Sequence, residues 1–231
     1  MGLKHFTDSD ALESELAGAV AARLARACAS RGYASLVVSG GHSPAGLFGQ
    51  LCGQQLDWSH VFIALADERW VDPREPGSNE RLVRERLLRE NAAPARFLGL
   101  KNPASSPLLG AAAAWDALAK VPRPFDVTVL GMGDDGHTAS LIPGSPGLRG
   151  ALDPDAPPAC VAMWSRVSPH ERISLNLSAL LQSRHISILI LGEHKLQTYR
   201  LAAGEGAVEE MPIRGVLRQE RVPADVVWAP I

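Results

Sequence analysis

The stretch FDVTVLGMGDDGHTASLIPG, residues 125–144, joins a short apolar run to a loop rich in glycine. An apolar run of a few residues without alternation is typical of a strand buried on both faces of a parallel sheet. Gly131, Gly133 and Gly136 follow it in the spacing G-x-G-x-x-G, which is also found in dinucleotide-binding domains. The stretch therefore predicts a buried strand that ends in a loop able to bring its backbone close to a ligand.

Apolar runs and helical patterns alternate on both sides of this stretch. A helix is predicted over residues 9–31, where apolar residues recur at steps of four, with Asp8 or Ser9 capping its start and Gly32 its end. Strands are predicted at 34–41, 60–67, 95–100 and 125–133, and helices at 43–52, 78–90 and 108–119. Further segments of the same alternation follow at 160–164, 172–177, 178–184, 186–192, 193–204 and 225–229. This order indicates an α/β fold, a three-layer α/β/α sandwich around a mainly parallel, Rossmann-like sheet.

The composition limits the classes of protein that need to be considered. The 231 residues are 46% apolar and 21% charged, and no repeat divides them, so we expect residues 1–231 to form a single domain. The segment 143–159, rich in proline and glycine, is predicted to be a surface excursion rather than a linker. A net charge of −2 without a basic cluster argues against nucleic-acid and polybasic membrane-binding proteins.

The cysteines and the start of the chain bear on the compartment. Cys28, Cys52 and Cys160 are far apart, which predicts reduced thiols rather than a disulfide framework. The first fifteen residues carry acids where a signal peptide needs an apolar region, and no apolar run is long enough to span a bilayer. We therefore expect a cytoplasmic protein without a membrane partner.

Polar residues follow four of the apolar runs, at 39–43, 67–70, 131–137 and 192–195. Ligands of open α/β sheets bind outside the carboxyl ends of the strands, so these segments are the candidate site. A dinucleotide is an unsuitable ligand, because Asp134 and Asp135 would oppose its diphosphate. The segment beyond them also lacks a full crossover helix and a second strand that ends in an acid.

His137, at the end of the glycine loop, is the candidate acid–base residue, because an imidazole gains and loses a proton near neutral pH. The structural alternative is a histidine that caps a helix over TASLI, residues 138–142, or donates to a backbone carbonyl. Its position after a strand, beside glycines and two carboxylates, favours the catalytic interpretation.

Two further segments supply candidate anion-binding groups. SGGHSPAG, residues 39–46, combines a glycine turn with a helix N-terminus, although Ser43 can equally be an ordinary N-cap before Pro44. Arg69 can hold a phosphate or stabilise an oxyanion, or else form an ion pair with Asp67 or Glu68 that orders the loop. Arg172 and Lys195 are possible cationic partners, and each alone is more typical of a solvated surface charge.

Taken together, these segments resemble the 6-phosphogluconolactonase family. The matching segments are SGGHSPAGLF (39–48), DERWV…P.SN (67–79), LGMGDDGHTASLIPG (130–144), RISLNL…LILGEHK (172–195) and PIRGVL (212–217), in the family's order. The resemblance implies the fold of glucosamine-6-phosphate deaminases and ribose-5-phosphate isomerases. It also implies hydrolysis of 6-phospho-D-glucono-1,5-lactone to 6-phospho-D-gluconate, the second step of the oxidative pentose phosphate pathway, without a metal or organic cofactor. We expect a monomer with a small phosphosugar lactone as its partner.

The resemblance also assigns roles to residues. It places the general base at His137 and its cationic helper at Arg69. Residues expected at the substrate are Gly40, Gly41, Ser43, Asp67, Asn79, Gly133, Asp135, Arg172 and Lys195, the last two near the phosphate. The chain departs from the family at Ser43 and Ser174 (usually threonine), Ile142 (usually phenylalanine), Asp72 (usually proline) and Arg74 (usually an acid).

Three other functions are considered. A phosphosugar deaminase or isomerase on the same fold characteristically has an acid–tyrosine pair where this chain has Arg69-Trp70. A serine esterase would use Ser43, but GHSPA departs from G-x-S-x-G at Ala45. A catalytically inert sugar-phosphate sensor would not need both His137 and Arg69. The remaining histidines are isolated, so no metal site is predicted.

Overall fold

The computed structural model describes residues 2–165 and 169–231. Its strands are β1 (Gly2–His5), β2 (Ala34–Val38), β3 (Val61–Leu65), β4 (Asp67–Arg69), β5 (Arg96–Leu98), β6 (Val127–Leu130), β7 (Cys160–Met163), β8 (Arg172–Leu175), β9 (Ile186–Leu191) and β10 (Ala224–Ala229). Its helices are α1 (Ser9–Arg31), α2 (Pro44–Cys52), α3 (Asn79–Arg86), α4 (Pro107–Ala117), α5 (Leu148–Ala151), α6 (Leu177–Leu180), α7 (Glu193–Ala203) and α8 (Ile213–Arg218).

A seven-stranded parallel sheet forms the centre, in the order β1-β10-β9-β6-β2-β3-β5. The residues of β2 and β6 are all buried, as their mostly apolar runs predict. The apolar residues of helix α1 face inward. Asp8 caps the start of this helix, where its carboxylate accepts from the Ala11 N–H at 2.8 Å, and Gly32 caps the end with φ +79°. The predicted α/β fold with a mainly parallel sheet is confirmed.

The strand order places a topological switch point between β2 and β6. From β2 the chain moves outward through β3 to β5, whereas from β6 it moves the other way through β9 to β10. The loops that follow β2 and β6 therefore diverge and leave a crevice at the carboxyl edge of the sheet. The SGGHSPAG segment and the glycine loop border this crevice.

A second, three-stranded antiparallel sheet, β4-β8-β7, lies beside the first. The sequence pattern predicted one strand over 60–67, whereas the structure ends β3 at Leu65 and starts β4 at Asp67. Ala66 joins the two sheets, since its N–H donates to Val38 and its carbonyl accepts from Leu175, both at 2.8 Å. This change of sheet turns Arg69 toward the crevice and pairs it with Arg172.

Three other details differ from the sequence prediction. Residues 138–142 form no helix, because Ala139 has φ +48° and Thr138 pairs with Leu141 in a turn. The segment 143–159 is not wholly superficial, since it contains α5 with buried Leu148. The edge strand β1 was not predicted. Among the described residues, no helix has the length and apolar character that a membrane crossing requires.

Candidate active site

A cavity of about 370 Å³ lies at the carboxyl edge of the parallel sheet, over the switch point. All four segments predicted from the strand ends contribute to its wall. Of the predicted site residues, those that line it are Gly40, Gly41, Ser43, Asp67, Arg69, Asn79, Gly133, His137, Arg172 and Lys195. The fold therefore gathers in one place residues that lie far apart in the chain, from Gly40 to Lys195.

His137 is held in the cavity wall by Asp135. The Nδ1 of His137 lies 2.6 Å from Asp135 Oδ1, which also accepts from the His137 N–H at 3.1 Å. Burial raises the pKa of the Asp135 carboxyl, but the hydrogen bond and charge of His137 outweigh it and bring the pKa to about 2. An ionised Asp135 at Nδ1 assigns the proton to that nitrogen and leaves Nε2 as the basic atom. Asp135 itself was expected at the substrate, whereas the structure places it behind the imidazole and outside the cavity lining.

The glycine loop, residues 131–137, packs closely against the His137 imidazole. The Gly133 N–H donates to the His137 carbonyl at 2.8 Å and closes the loop, while Gly136 adopts φ +76°. A Cβ at Gly133 would lie 2.0 Å from His137 Nδ1, which is far inside van der Waals contact. Gly133 therefore allows the imidazole to lie against the backbone.

Arg69 is anchored so that its guanidinium reaches the cavity. Its Nη1 donates to the Gly77 carbonyl at 2.6 Å and to Asn79 Oδ1 at 3.3 Å. No ion pair with Asp67 or Glu68 is found among the described residues, so the structural alternative of an Arg69 ion pair is not what orders this loop. Because a guanidinium has five donors, several remain for a ligand after these contacts.

Glu68 orders the loop instead, a role that sequence reasoning missed. Its side chain is fully buried and accepts from the backbone N–H groups of Arg69, Asn79 and Glu80 and from the Ser78 hydroxyl, at 2.7–2.9 Å. Burial raises the pKa of the Glu68 carboxyl, and these hydrogen bonds act in the opposite direction. The carboxylate thereby satisfies free donors at the start of α3 and fixes the helix against β4.

Asn79 links two walls of the cavity. Its amide donates to the Asp67 carbonyl at 2.8 Å, and its Oδ1 accepts from Arg69. A Cβ at Gly40 would lie 2.0 Å from Asn79 Oδ1, so the loop after β2 packs directly against this amide. Asp67 is fixed from the other side, since its Oδ2 accepts from the Ser140 hydroxyl at 2.6 Å.

The cations of the cavity differ in their surroundings. Arg172 lies opposite Arg69 in the antiparallel pair of β4 and β8. Burial lowers the pKa of the Arg172 guanidinium, Asp67 raises it, and Arg69 lowers it further. Like charges placed opposite each other on neighbouring strands repel, so a bound anion would stabilise this pair. Lys195 pairs with an anion of the glycine loop, because its Nζ lies 2.7 Å from Asp134 Oδ1.

The N-terminus of α2 forms the remaining wall. Ser43 stands at the N-cap position before Pro44, but its side chain makes no capping hydrogen bond, so the ordinary N-cap interpretation is wrong in this detail. The buried Oγ of Ser39 has no hydrogen-bond partner among the described residues. Sequence reasoning placed Ser39 in the strand-end segment without assigning it a role, and its hydroxyl is a further candidate for substrate binding.

Comparisons with known proteins identify the family of this chain. A family model described as "Glucosamine-6-phosphate isomerases/6-phosphogluconolactonase" matches residues 7–228. The chain belongs to this family. Among its curated relatives, the 6-phosphogluconolactonase of Pseudomonas aeruginosa is 46% identical, with 93% of this chain and 89% of the relative covered.

Solved structures of the family superpose closely. The crystal structure of a 6-phosphogluconolactonase from Shewanella baltica matches with a TM-score of 0.95 and 50% identity, over 98% of this chain and 97% of that one. A monomeric glucosamine-6-phosphate deaminase matches with a TM-score of 0.79 over 99% of this chain and 97% of that one. At 17% identity, this match supports the shared fold alone.

The departures from the family pattern at Asp72 and Arg74 compensate each other. Arg74 Nε and Nη2 each donate to Asp72 at 2.9 Å, so the two unusual residues form one exposed ion pair. The hydrogen bond from Arg74 lowers the pKa of the Asp72 carboxyl. The loop charge near Arg69 is therefore locally balanced.

No group of three or more histidine, cysteine, aspartate or glutamate side chains in the described parts of the chain is arranged to hold a metal ion.

A Glu68→Gln variant should be less stable by about 2 kcal/mol, because an amide NH₂ would face backbone N–H donors in place of a carboxylate oxygen. Urea unfolding followed by circular dichroism measures the change. The matched control is Glu85→Gln on the same helix, where the exposed pair with Arg81 contributes at most about 0.5 kcal/mol. Equal stability of the two variants would show that Glu68 does not order the loop.

Proposed function

We propose that this chain hydrolyses 6-phospho-D-glucono-1,5-lactone to 6-phospho-D-gluconate. The observation that carries the proposal is the presence of His137, oriented by Asp135, and Arg69 in the wall of one cavity with further cations. Membership of the family and the names of relatives at 46–50% identity support the same reaction.

In the proposed mechanism, Nε2 of neutral His137 accepts a proton from water as the water oxygen attacks C1 of the lactone. Negative charge then develops on the carbonyl oxygen, where the free donors of Arg69 stabilise it. The bond between C1 and the ring oxygen breaks, and the imidazolium of His137 delivers its proton to that oxygen. The new carboxylic acid loses a proton to solvent, and neutral His137 is regenerated.

The phosphate is remote from the reacting carbon and supplies binding energy that positions the lactone. We assign it to Arg172 and Lys195, with the N-terminus of α2 and the Ser39 hydroxyl as neutral donors. Residues 40–43 and Asn79 would then contact the sugar between the phosphate and the reacting carbon.

The reaction can be tested with the purified chain. Lactone hydrolysis is followed as proton release at constant pH, with the spontaneous rate subtracted, and ammonia release from glucosamine 6-phosphate is measured in parallel. We expect hydrolysis without ammonia release. Ammonia release without lactone hydrolysis would instead establish a deaminase, the alternative on the same fold.

The serine esterase alternative predicts a nucleophilic Ser43. Among the described residues, its hydroxyl makes no hydrogen bond to an imidazole. We expect Ser43→Ala to keep kcat/KM within about tenfold of the parent, because it loses at most one neutral hydrogen bond to the substrate. A fluorophosphonate probe should not label the parent protein. Loss of activity in the variant together with labelling of the parent would establish the esterase mechanism.

We further propose that the protein acts as a monomer in the cytoplasm, without an organic cofactor or metal. Three free cysteines agree with a reducing compartment. The single-domain organisation over residues 1–231 stays a prediction. Sedimentation velocity tests the first part, and full activity after dialysis against EDTA would support the absence of a metal requirement.

A further inference from the structure

Asp134 contributes a carboxylate to the cavity wall, from its place in the glycine loop between Gly133 and Asp135. Its Oδ1 lies 2.7 Å from Lys195 Nζ and 3.5 Å from His194 Nε2. Lys195 is mostly buried, with 23% of its side chain exposed, whereas Asp134 is 64% exposed. Lys195 therefore has an anionic partner before any ligand enters.

This ion pair affects the binding of a phosphate. A phosphate that reaches Lys195 must displace the Asp134 carboxylate or share the ammonium with it. A phosphate that displaces the carboxylate costs Asp134 its ion pair with Lys195. A phosphate that shares the ammonium lies within a few ångströms of the carboxylate, which costs about 1 kcal/mol per pair of unit charges even in water. The hydrogen bond from Lys195 lowers the pKa of Asp134, so the carboxylate stays ionised at neutral pH.

The same carboxylate distinguishes substrate from product. Hydrolysis turns a neutral lactone into a carboxylate while the phosphate is kept, so the product carries one more negative charge than the substrate. A fixed negative charge in the cavity wall repels the product more strongly than the substrate.

We propose that Asp134 competes with the ligand phosphate for Lys195, and thereby weakens binding of phosphorylated ligands and promotes release of the charged product. The inference rests on the proposed function in assigning Lys195 to the phosphate. Asp134 thus acts as a specificity-determining residue that limits product inhibition.

The test is direct binding, measured by titration calorimetry with inorganic phosphate and with 6-phosphogluconate. Asp134→Asn should bind inorganic phosphate about three- to tenfold more tightly than the parent, and 6-phosphogluconate at least as much more tightly. In steady-state assays the same variant should show a lower inhibition constant for 6-phosphogluconate, and that constant should fall by more than KM does.

The control variants separate competition from a general change in charge. Lys195→Met should weaken phosphate binding, and adding Asp134→Asn to it should change binding by less than about twofold, because the competition needs both partners. His194 contacts the same carboxylate from outside the cavity lining. His194→Gln should therefore keep the affinity for phosphate within about twofold of that of the parent. Thermal unfolding of each variant establishes that it is folded.

The outcomes distinguish this inference from the reaction. Unchanged or weaker phosphate binding by folded Asp134→Asn would overturn the competition, even if the parent hydrolyses the lactone. Equal tightening with and without Lys195 would also overturn it, since the effect would then be simple charge repulsion. Tighter phosphate binding in a protein without lactonase activity would support the competition and reject the proposed reaction.

Discussion

Replacing His137 by alanine is expected to lower kcat by about three orders of magnitude and to leave KM within about threefold. Removing a positioned general base typically costs between about 10² and 10⁴ in rate. KM should change little because the phosphate contacts, which we assign to Arg172 and Lys195, supply most of the binding energy and are not altered.

The measurement is initial-rate hydrolysis at constant pH, over a range of lactone concentrations that brackets KM. His60→Ala is the matched control, because His60 is exposed and pairs with Asp57 away from the cavity lining. This control should retain parental kinetics. An unchanged kcat in folded His137→Ala would remove this imidazole from the mechanism.

The second large effect is expected from Gly133→Ala, which should lower kcat by about a hundredfold without unfolding the protein. The added Cβ would lie 2.0 Å from His137 Nδ1, 2.1 Å from Cε1 and 2.7 Å from Asp135 Oδ1. The imidazole and its carboxylate partner must both move away from the new methyl group. A displacement of about 1 Å at a catalytic group can cost about 10² in rate.

Two comparisons make this prediction specific. Gly49→Ala adds the same methyl group to α2, where no atom beyond the helix's own adjacent backbone lies within 4 Å of it, and this variant should behave as the parent. Combining Gly133→Ala with His137→Ala should cost no more than His137→Ala alone, because both substitutions act through one imidazole. A full additional hundredfold loss would mean that Gly133 acts on the substrate instead.

Several features follow from local sequence alone. The mostly apolar run of β6 predicts a strand buried on both faces, and the apolar residues at steps of four in α1 predict a helix buried on one face, because burial sets the periodicity of apolar residues. That His137 and Arg69 line one cavity follows only in part, since each comes after a strand whose carboxyl end lies at the same edge of the sheet, whereas Arg69 faces the cavity only after the change of sheet at Ala66.

Other features depend on residues that only the folded chain brings together. Nothing local to Glu68 shows that its carboxylate accepts from N–H groups 11 and 12 positions later, because those donors meet it only when α3 docks on β4. The change of sheet at Ala66 likewise depends on partners in β2 and at Leu175. In both cases a hydrogen-bonding group is satisfied by a distant partner, which no periodicity reveals.

The sequence by itself thus determined the α/β class and indicated the carboxyl edge of the sheet as the candidate site, because apolar periodicity and strand ends are local properties. Tertiary structure alone decided that Asp135 lies behind the imidazole while its neighbour Asp134 faces the cavity and holds Lys195. Two adjacent aspartates are chemically alike, and the fold of the loop determines which charge each one meets.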